Sequence, residues 1–354
     1  MWRYVIRRVI WSIPVLLLLM FTVFAMMRAL PGGPFDFSGD KSLPKAVSDN
    51  LKRRYHLDWP ESWQFVSFVA GDDVAGAICK ATGTIPGCEE VLASYELGVS
   101  RGVIRGDLGM AMRQRGRTIN EIIGESFPIS LQLGLMAIAF GLIIGIPLGT
   151  IAALRQNSLV DYSASFVAVL GLSIPSLVLG PVLIWIFALK LGWFPVSTWG
   201  AKPPFFLGFI PAPTKDFFSH AVLPVITLGF ALTASIARLT RASLLQVIRE
   251  DYIRTARAKG LRSRTMIVRH ALRNSLIPVV TILGPLTAAV VTGSFVTEFV
   301  FGIPGMGKHF ITSIGNRDYS LIMGATLVYA VLLVLANLLV DVTYAWLDPR
   351  IKYD

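Results

Sequence analysis

Six stretches of this sequence contain no Asp, Glu, Lys or Arg: 9–27, 127–154, 162–189, 217–237, 274–297 and 319–340. Crossing a bilayer as a helix takes about 20 apolar residues, so each is long enough. Backbone groups in lipid must bond within their own segment, and a membrane barrel would show short alternating strands instead. The fold class expected is therefore an all-α membrane protein with six transmembrane helices. Composition agrees: only 16% of the residues are charged and 54% are hydrophobic, against about a quarter charged in soluble domains.

The first stretch follows Arg3, Arg7 and Arg8, as a signal peptide's apolar core would. Its run is longer than the usual core, however, and no A-x-A-like cleavage site follows. An uncleaved first span is expected, ended by Arg28-Ala-Leu-Pro-Gly-Gly-Pro34. Orientation follows Lys and Arg in the short loops. With the N-terminus inside, the N-terminus, 155–161, 238–273 and 341–354 carry +3, 0, +8 and −1, which is all but one of the net +11. Both termini are then cytoplasmic. The expected organisation is a first span over 1–30, a large extracytoplasmic region over 31–126, a five-span core over 127–346 and a tail over 347–354.

This topology disposes of one suggestive motif. Gly302-Ile-Pro-Gly-Met-Gly-Lys-His309 is one residue short of a phosphate-binding loop. It lies on the outer side, carries His309 where Ser or Thr would hold Mg²⁺, and lacks the preceding strand such a loop requires. It reads as a Gly/Pro-rich external turn.

The 31–126 region mixes acidic and basic residues and includes Trp59, Trp63, Phe65 and Phe68, so a small folded lid is expected. Both cysteines of the protein, Cys79 and Cys88, lie in it. Outside the cytoplasm a disulfide is the expected state, with two free thiols as the alternative. No His lies close in sequence, so no metal site is expected there.

The cytoplasmic stretch 238–273 holds ten basic residues against Glu250 and Asp251. Ile248, Tyr252 and Ala256 recur at helical spacing, as do Ile267 and Ala271, and Gly260 between the runs suits a helix C-terminus. Two short helices along the inner membrane face are expected. Such a basic segment can rest on anionic lipid, dock a cytoplasmic protein, or neutralise nucleic-acid phosphate. The last reading is disfavoured because the segment is pinned to a membrane and has no base-reading aromatic beyond Tyr252.

The residues here resemble a known family. Tyr252-Ile-Arg-Thr-Ala-Arg-Ala-Lys-Gly260, followed by His270-Ala-Leu-Arg-Asn-Ser-Leu-Ile-Pro278, resembles the coupling loop of oligopeptide/dipeptide ABC importer permeases. The resemblance extends to RYVIRRVIWSIPVLLLLMF, RRYHLDWP, GDLGMAMRQRGRTINEIIGESFPISLQLG, GSFVTEFVFGIPGMGKHF, NRDYSLIMG and DVTYAWLDPRIKY. Arg254-Thr-Ala256 and His270-Ala-Leu-Arg273 replace the general importer pattern, as the peptide branch does. Only about 75–103, with both cysteines, looks like an insertion.

The resemblance implies a permease in a bacterial inner membrane that performs no chemistry itself. ATP and Mg would be bound by two separate cytoplasmic ATPase subunits. An extracytoplasmic binding protein would deliver peptide, and a homologous second permease would complete the pore. Tyr252, Arg254, Thr255, Ala256, Arg257, Lys259, Gly260, Leu261 and His270 would form the ATPase-coupling surface, with small Ala256 permitting close approach. Nickel, glutathione or another small solute remains the alternative cargo within the family.

Other features are read from the residues alone. Gly141, Gly145 and Gly149 share a helix face, suited either to moving contacts or to static packing within the chain. Pro147, Pro175, Pro181, Pro224, Pro278 and Pro285 are expected to interrupt their helices. Thr233, Ser235, Thr287, Thr292, Ser294 and Glu298 are candidate pathway residues, although such hydroxyls also bond to their own helix. Glu298 reads equally as functional or as an exposed interfacial acid. Rival classes are an autonomous channel and a membrane enzyme. No H-E-x-x-H or G-x-S-x-G is present, and His56, His220, His270 and His309 do not cluster in sequence.

Overall fold

The computed structural model describes residues 2–29, 32–35, 44–83, 85–97, 100–114, 116–196, 198–200 and 214–347. In chain order the helices are α1 (Trp2–Ala29), α2 (Lys45–Arg54), α3 (Glu61–Ala70), α4 (Asp72–Thr82), α5 (Cys88–Ser94), α6 (Ile119–Leu154), α7 (Leu159–Ser173) and α8 (Ser176–Leu183). They continue as α9 (Lys215–Val247), α10 (Asp251–Ala258), α11 (Ser263–Thr265), α12 (Arg273–Ser275), α13 (Ile277–Gly293), α14 (Phe295–Val300), α15 (Met306–Asn316) and α16 (Tyr319–Leu347). Two wider π-helical segments extend this set: Ile184–Lys190 continues α8, and Met266–Leu272 joins α11 to α12. Among the described residues the only β pairing is an isolated bridge between Met110 and Thr118.

Four helices are long and apolar enough to cross a membrane, and two bent pairs raise the number to six if each pair is one span. The two bends fall at Pro175 and just ahead of Pro278, where interruptions were expected. The stretch 162–189 is not one helix: α7 and α8 meet at 107°. Pro175 pushes the preceding residue out of the helical region, and Ile174 sits at φ −88°, ψ 114°. A second bend, of 42°, falls at Leu276, ahead of Pro278 in the first turn of α13. Pro147, Pro181 and Pro224, by contrast, lie inside continuous helices. The fourth span also outruns its expected end at 237. α9 continues to Val247, so Arg238 and Arg241 are helical and not part of a loop.

Contacts group the chain into two compact units. One comprises 1–8, 127–308 and 332–354. Its main core joins Leu133 of α6, Ala188, Phe217 and Leu223 of α9, and Phe301 and Ile303. Gly141, Gly145 and Gly149 all pack on α9 within this unit. A Cβ at Gly145 would lie 2.9 Å from the Thr233 carbonyl oxygen, and one at Gly149 would strike the Ala237 carbonyl. The glycine face therefore serves packing within the chain.

The other unit comprises 9–126 and 309–331. Its α2–α5 segment folds about Trp59, Trp63, Ala75, Val91 and the disulfide between Cys79 and Cys88, whose Cα atoms are 5.2 Å apart. Gly71, at φ 104°, turns the chain between α3 and α4, where any Cβ would lie 2.5 Å from the Arg101 carbonyl oxygen. Asp72 is buried beside this turn and receives bonds from Ser67 Oγ, the Ser100 N–H and His56 Nε2, the last two at 3.2 Å. Burial pushes its carboxyl up, but the bonds from His56, Ser67 and Ser100 outweigh that and hold it below the usual carboxylate range. Asp318 is a second buried acid here. It caps α16 through the Leu321 N–H and accepts from the Met112 and Arg113 N–H groups at 3.1 and 3.0 Å, fixing the 110–113 turn.

Candidate functional site

α10 is held to its unit chiefly by one side chain. Ile253 is fully buried among Ala153, Leu244, Met266 and Ala271. Around it Asp251, Tyr252, Arg254, Thr255, Arg257 and Ala258 are exposed. Asp251 opens the helix, where a negative charge complements the macrodipole. Arg254 lies 3.4 Å from Asp251, a solvated pair of little energetic weight. At the other end the Gly260 N–H donates to the Arg257 carbonyl and the Leu261 N–H to the Ala256 carbonyl. That double closure is a Schellman turn, which requires a left-handed residue at its centre. Gly260 supplies it at φ 72°, with nothing within 4 Å of where a Cβ would sit. Conformation, not space, demands the glycine.

The expected coupling residues separate on this geometry. Tyr252, Arg254, Thr255, Arg257, Lys259, Gly260 and Leu261 are exposed, and His270 is half-buried in the π-helical turn. Ala256 differs from expectation. It is half-buried against the chain's own core, so its small size is used within the subunit. Asn274, not singled out from sequence, donates from Nδ2 to Tyr252 Oη at 2.8 Å and ties α12 to α10.

Behind this surface Arg241 of α9 grips Asp161 in the first turn of α7. Nε lies 2.5 Å from Oδ1 and Nη2 2.7 Å from Oδ2, with the Asp161 side chain 3% exposed. Asp161 Oδ2 also accepts from the Asn157 N–H at 3.0 Å.

The Gly302–His309 stretch follows a helix, α14, and its second half opens α15. It is organised by Glu298, which is not exposed but 0% accessible. The carboxylate accepts from Ser294 Oγ and from the Gly307 N–H, the latter at 2.7 Å, while Ser130 Oγ of α6 accepts from the Met306 N–H at 2.9 Å. A Cβ at Gly305 would collide with Glu298 Oε2 and sit 2.7 Å from Ser130 Oγ. The glycine-rich stretch is thus shaped to lie on a buried carboxylate.

The remaining pathway candidates spend their hydroxyls locally. Thr233, Ser235 and Thr287 each donate to the carbonyl four residues back, at 2.8, 3.0 and 2.6 Å. Thr233 is buried and Ser294 fully so. The Thr292 side chain lies outside the described residues.

Comparison with known proteins decides the family. A family model described as "binding-protein-dependent transport system inner membrane component" matches residues 145–353. The chain belongs to that family of permeases. It is similar along its full length to the dipeptide transport permease DppB of Bacillus subtilis, with 40% identity over 99% of this chain and 98% of that one. The oligopeptide permeases OppB of Haemophilus influenzae and of Escherichia coli are 35% and 36% identical, with both chains fully covered. A solved structure of the MetNI methionine ABC transporter in inward-facing conformations superimposes with a TM-score of 0.50 and 17% identity. It covers 64% of this chain and 97% of the other, a likeness of fold alone.

The permease is thus an inner-membrane transport subunit of an ABC importer. Two of its organising residues left no local mark in the sequence. Asp161 and Arg241 are 80 positions apart, and only the lone acid in the first turn of α7 and the two cations late in α9, Arg238 and Arg241, could have hinted at the pair. Glu298 carried a signal, an acid in an apolar run, but not its burial.

Proposed function

We propose that this permease, with a homologous second permease, forms the path by which di- or oligopeptides enter the cell. Six spans with both termini cytoplasmic put α10 inside and the α2–α5 segment outside. Peptide would arrive on an extracytoplasmic binding protein. Two cytoplasmic ATPase subunits would bind ATP and Mg²⁺ and perform the hydrolysis. The observation that carries the reading is α10 itself: a short helix anchored by Ile253, closed by Gly260, with Arg254, Thr255, Arg257, Lys259 and Leu261 exposed. Full-length similarity to dipeptide and oligopeptide permeases supports peptide as the cargo.

Uptake of labelled di-, tri- and pentapeptides, with Ni²⁺ as control, is to be measured in cells with and without this chain. Loss of peptide uptake alone is expected. Loss of Ni²⁺ uptake alone would keep the architecture and replace the cargo. Docking is tested by Thr255→Trp, which adds bulk on the exposed face without touching the Ile253 anchor. It is expected to leave the permease in the membrane, to abolish uptake and to uncouple ATP hydrolysis from it. Normal coupled uptake in this variant would remove α10 from the interface.

A further inference from the structure

The helices α6, α7 and α9 belong to one compact unit, and toward their α10 ends they leave a groove of about 200 Å³ between them. Small residues make the space: Gly149 and Ala152 of α6, Ala164 and Ala168 of α7, and Ala237 of α9 line it. One water needs only about 10–15 Å³, so the groove has room for a chain of several carbons. Most of its wall is apolar. Val169 on that wall is exposed, as is Phe166 one turn earlier on α7. Within a span, such exposure means contact with lipid or with a second membrane protein.

Arg238 and Arg241 complete the wall, and their situations differ. Arg241 is spent on Asp161, which also accepts from the Asn157 N–H. That pair is neutral as a whole. Arg238 is exposed and forms no ion pair among the described residues. It stands three residues before Arg241, about 4.5 Å along the helix axis and farther from the α10 end of the span. A charged side chain in a span is costly unless it meets a counter-charge or reaches the interface. The fold gives Arg241 that counter-charge and leaves Arg238 without one.

The groove thus sets an apolar slot beside an uncompensated cation, at the inner end of the spans on the orientation proposed above. A phospholipid of the inner leaflet presents a phosphate joined to an acyl chain. We infer that this groove holds one anionic phospholipid, with its phosphate on Arg238 and an acyl chain along Gly149, Ala152, Ala164 and Ala168. Basic pockets between spans on the cytoplasmic side suit anionic head groups. A zwitterionic head group would bring its own cation toward Arg238, so phosphatidylglycerol is favoured over phosphatidylcholine. The occupant would sit behind the coupling surface. Ala152 adjoins Ala153, and Arg241 is one turn from Leu244, two of the residues that bury Ile253 of α10. A filled groove would brace the seat of that helix. The inference does not depend on which cargo is carried.

Native mass spectrometry of the purified transporter, assembled with its partner subunits, tests it. Bound lipid is measured after exchange into phosphatidylglycerol or into phosphatidylcholine of the same chains. Arg238 is exposed and outside the Asp161 clamp, so Arg238→Gln isolates this site from the other cations of the inner face. It is expected to weaken phosphatidylglycerol binding about fivefold, to the phosphatidylcholine level, with Arg238→Lys retaining most of the affinity. Ala164→Leu fills the slot but keeps the cation, and should weaken both lipids. Equal binding of the two lipids by the wild-type protein overturns the site, and so does unchanged phosphatidylglycerol binding in Arg238→Gln. A loss in Arg238→Gln with none in Ala164→Leu puts lipid on a surface charge and not in the groove, which also overturns it. A photoreactive benzophenone side chain placed at Val169 reads what covers the groove in native membranes, with Arg238 and the small residues intact. A lipid adduct is expected. Crosslinking to the second permease alone would show that a protein fills the groove and would overturn the inference.

Discussion

Glu298 has no room to spare. Its carboxylate is enclosed by Ser294, Gly307 and the space that a side chain at Gly305 would fill. Gly305→Ala forces either the loop or the carboxylate to move. Overpacking of this kind costs about 1–3 kcal/mol, and a lowered midpoint in thermal unfolding of the purified protein is the expected reading. Lys308→Ala is expected to leave nucleotide binding by the complex intact, because Lys308 reaches the Gly302 carbonyl at 3.4 Å within its own turn. Loss of ATP binding in that variant would overturn the orientation proposed here. Asp72 sets a pH dependence. Its carboxyl is depressed in the folded state, so its contribution is fully present above the ordinary Asp range and is lost as pH falls through the folded value. Asp72→Asn should therefore be less stable at neutral pH, and its stability should fall less on acidification. Unfolding curves of both proteins from neutral to acid pH check the sign.

At the level of elements, the exposed face of α10 was legible because charge and glycine are local signals. Gly260 ends a helix wherever it stands after a run of helical spacing. Ile253 was not legible as the anchor, since a lone isoleucine among charged residues declares no partner. The bend between α7 and α8 was half legible. Pro175 announced an interruption, but Pro147, Pro181 and Pro224 announced the same and their helices run on. The difference lies in whether the residue before the proline adopts an extended conformation, as Ile174 does. The clamp joining α9 to α7 was invisible, because an ion pair across 80 positions has no sequence period. Its weight can be measured. Arg241→Ala strands the buried Asp161 carboxylate, and removing one partner of a buried pair costs about 3–5 kcal/mol. Expression in the membrane and thermal stability should fall together, with Arg241→Lys intermediate because lysine lacks the two-pronged fit.

Over the whole molecule, six uncharged stretches were enough to predict helices and a membrane, since lipid leaves the backbone few options. They could not predict that 309–331 would group with 9–126, because that grouping is made by contacts far apart in the chain. Cys79 and Cys88 pin only the α2–α5 segment. Replacing both by serine should cost that segment about 2–3 kcal/mol. Limited proteolysis of oriented vesicles should then cut within 72–97 sooner, with the fragments from 127–347 unaffected.

The π-helical turn over Met266–Leu272 has a further consequence. It is wound wide. The i→i+5 turn carries about one residue more than an α-helical turn needs, so deleting one residue there would let it tighten to ordinary pitch and leave the setting of α13 nearly unchanged. Deleting one residue within the regular helix of α13 would instead turn everything downstream by about 100°. The wide turn is thus the place in this stretch where a frame-preserving deletion does least damage.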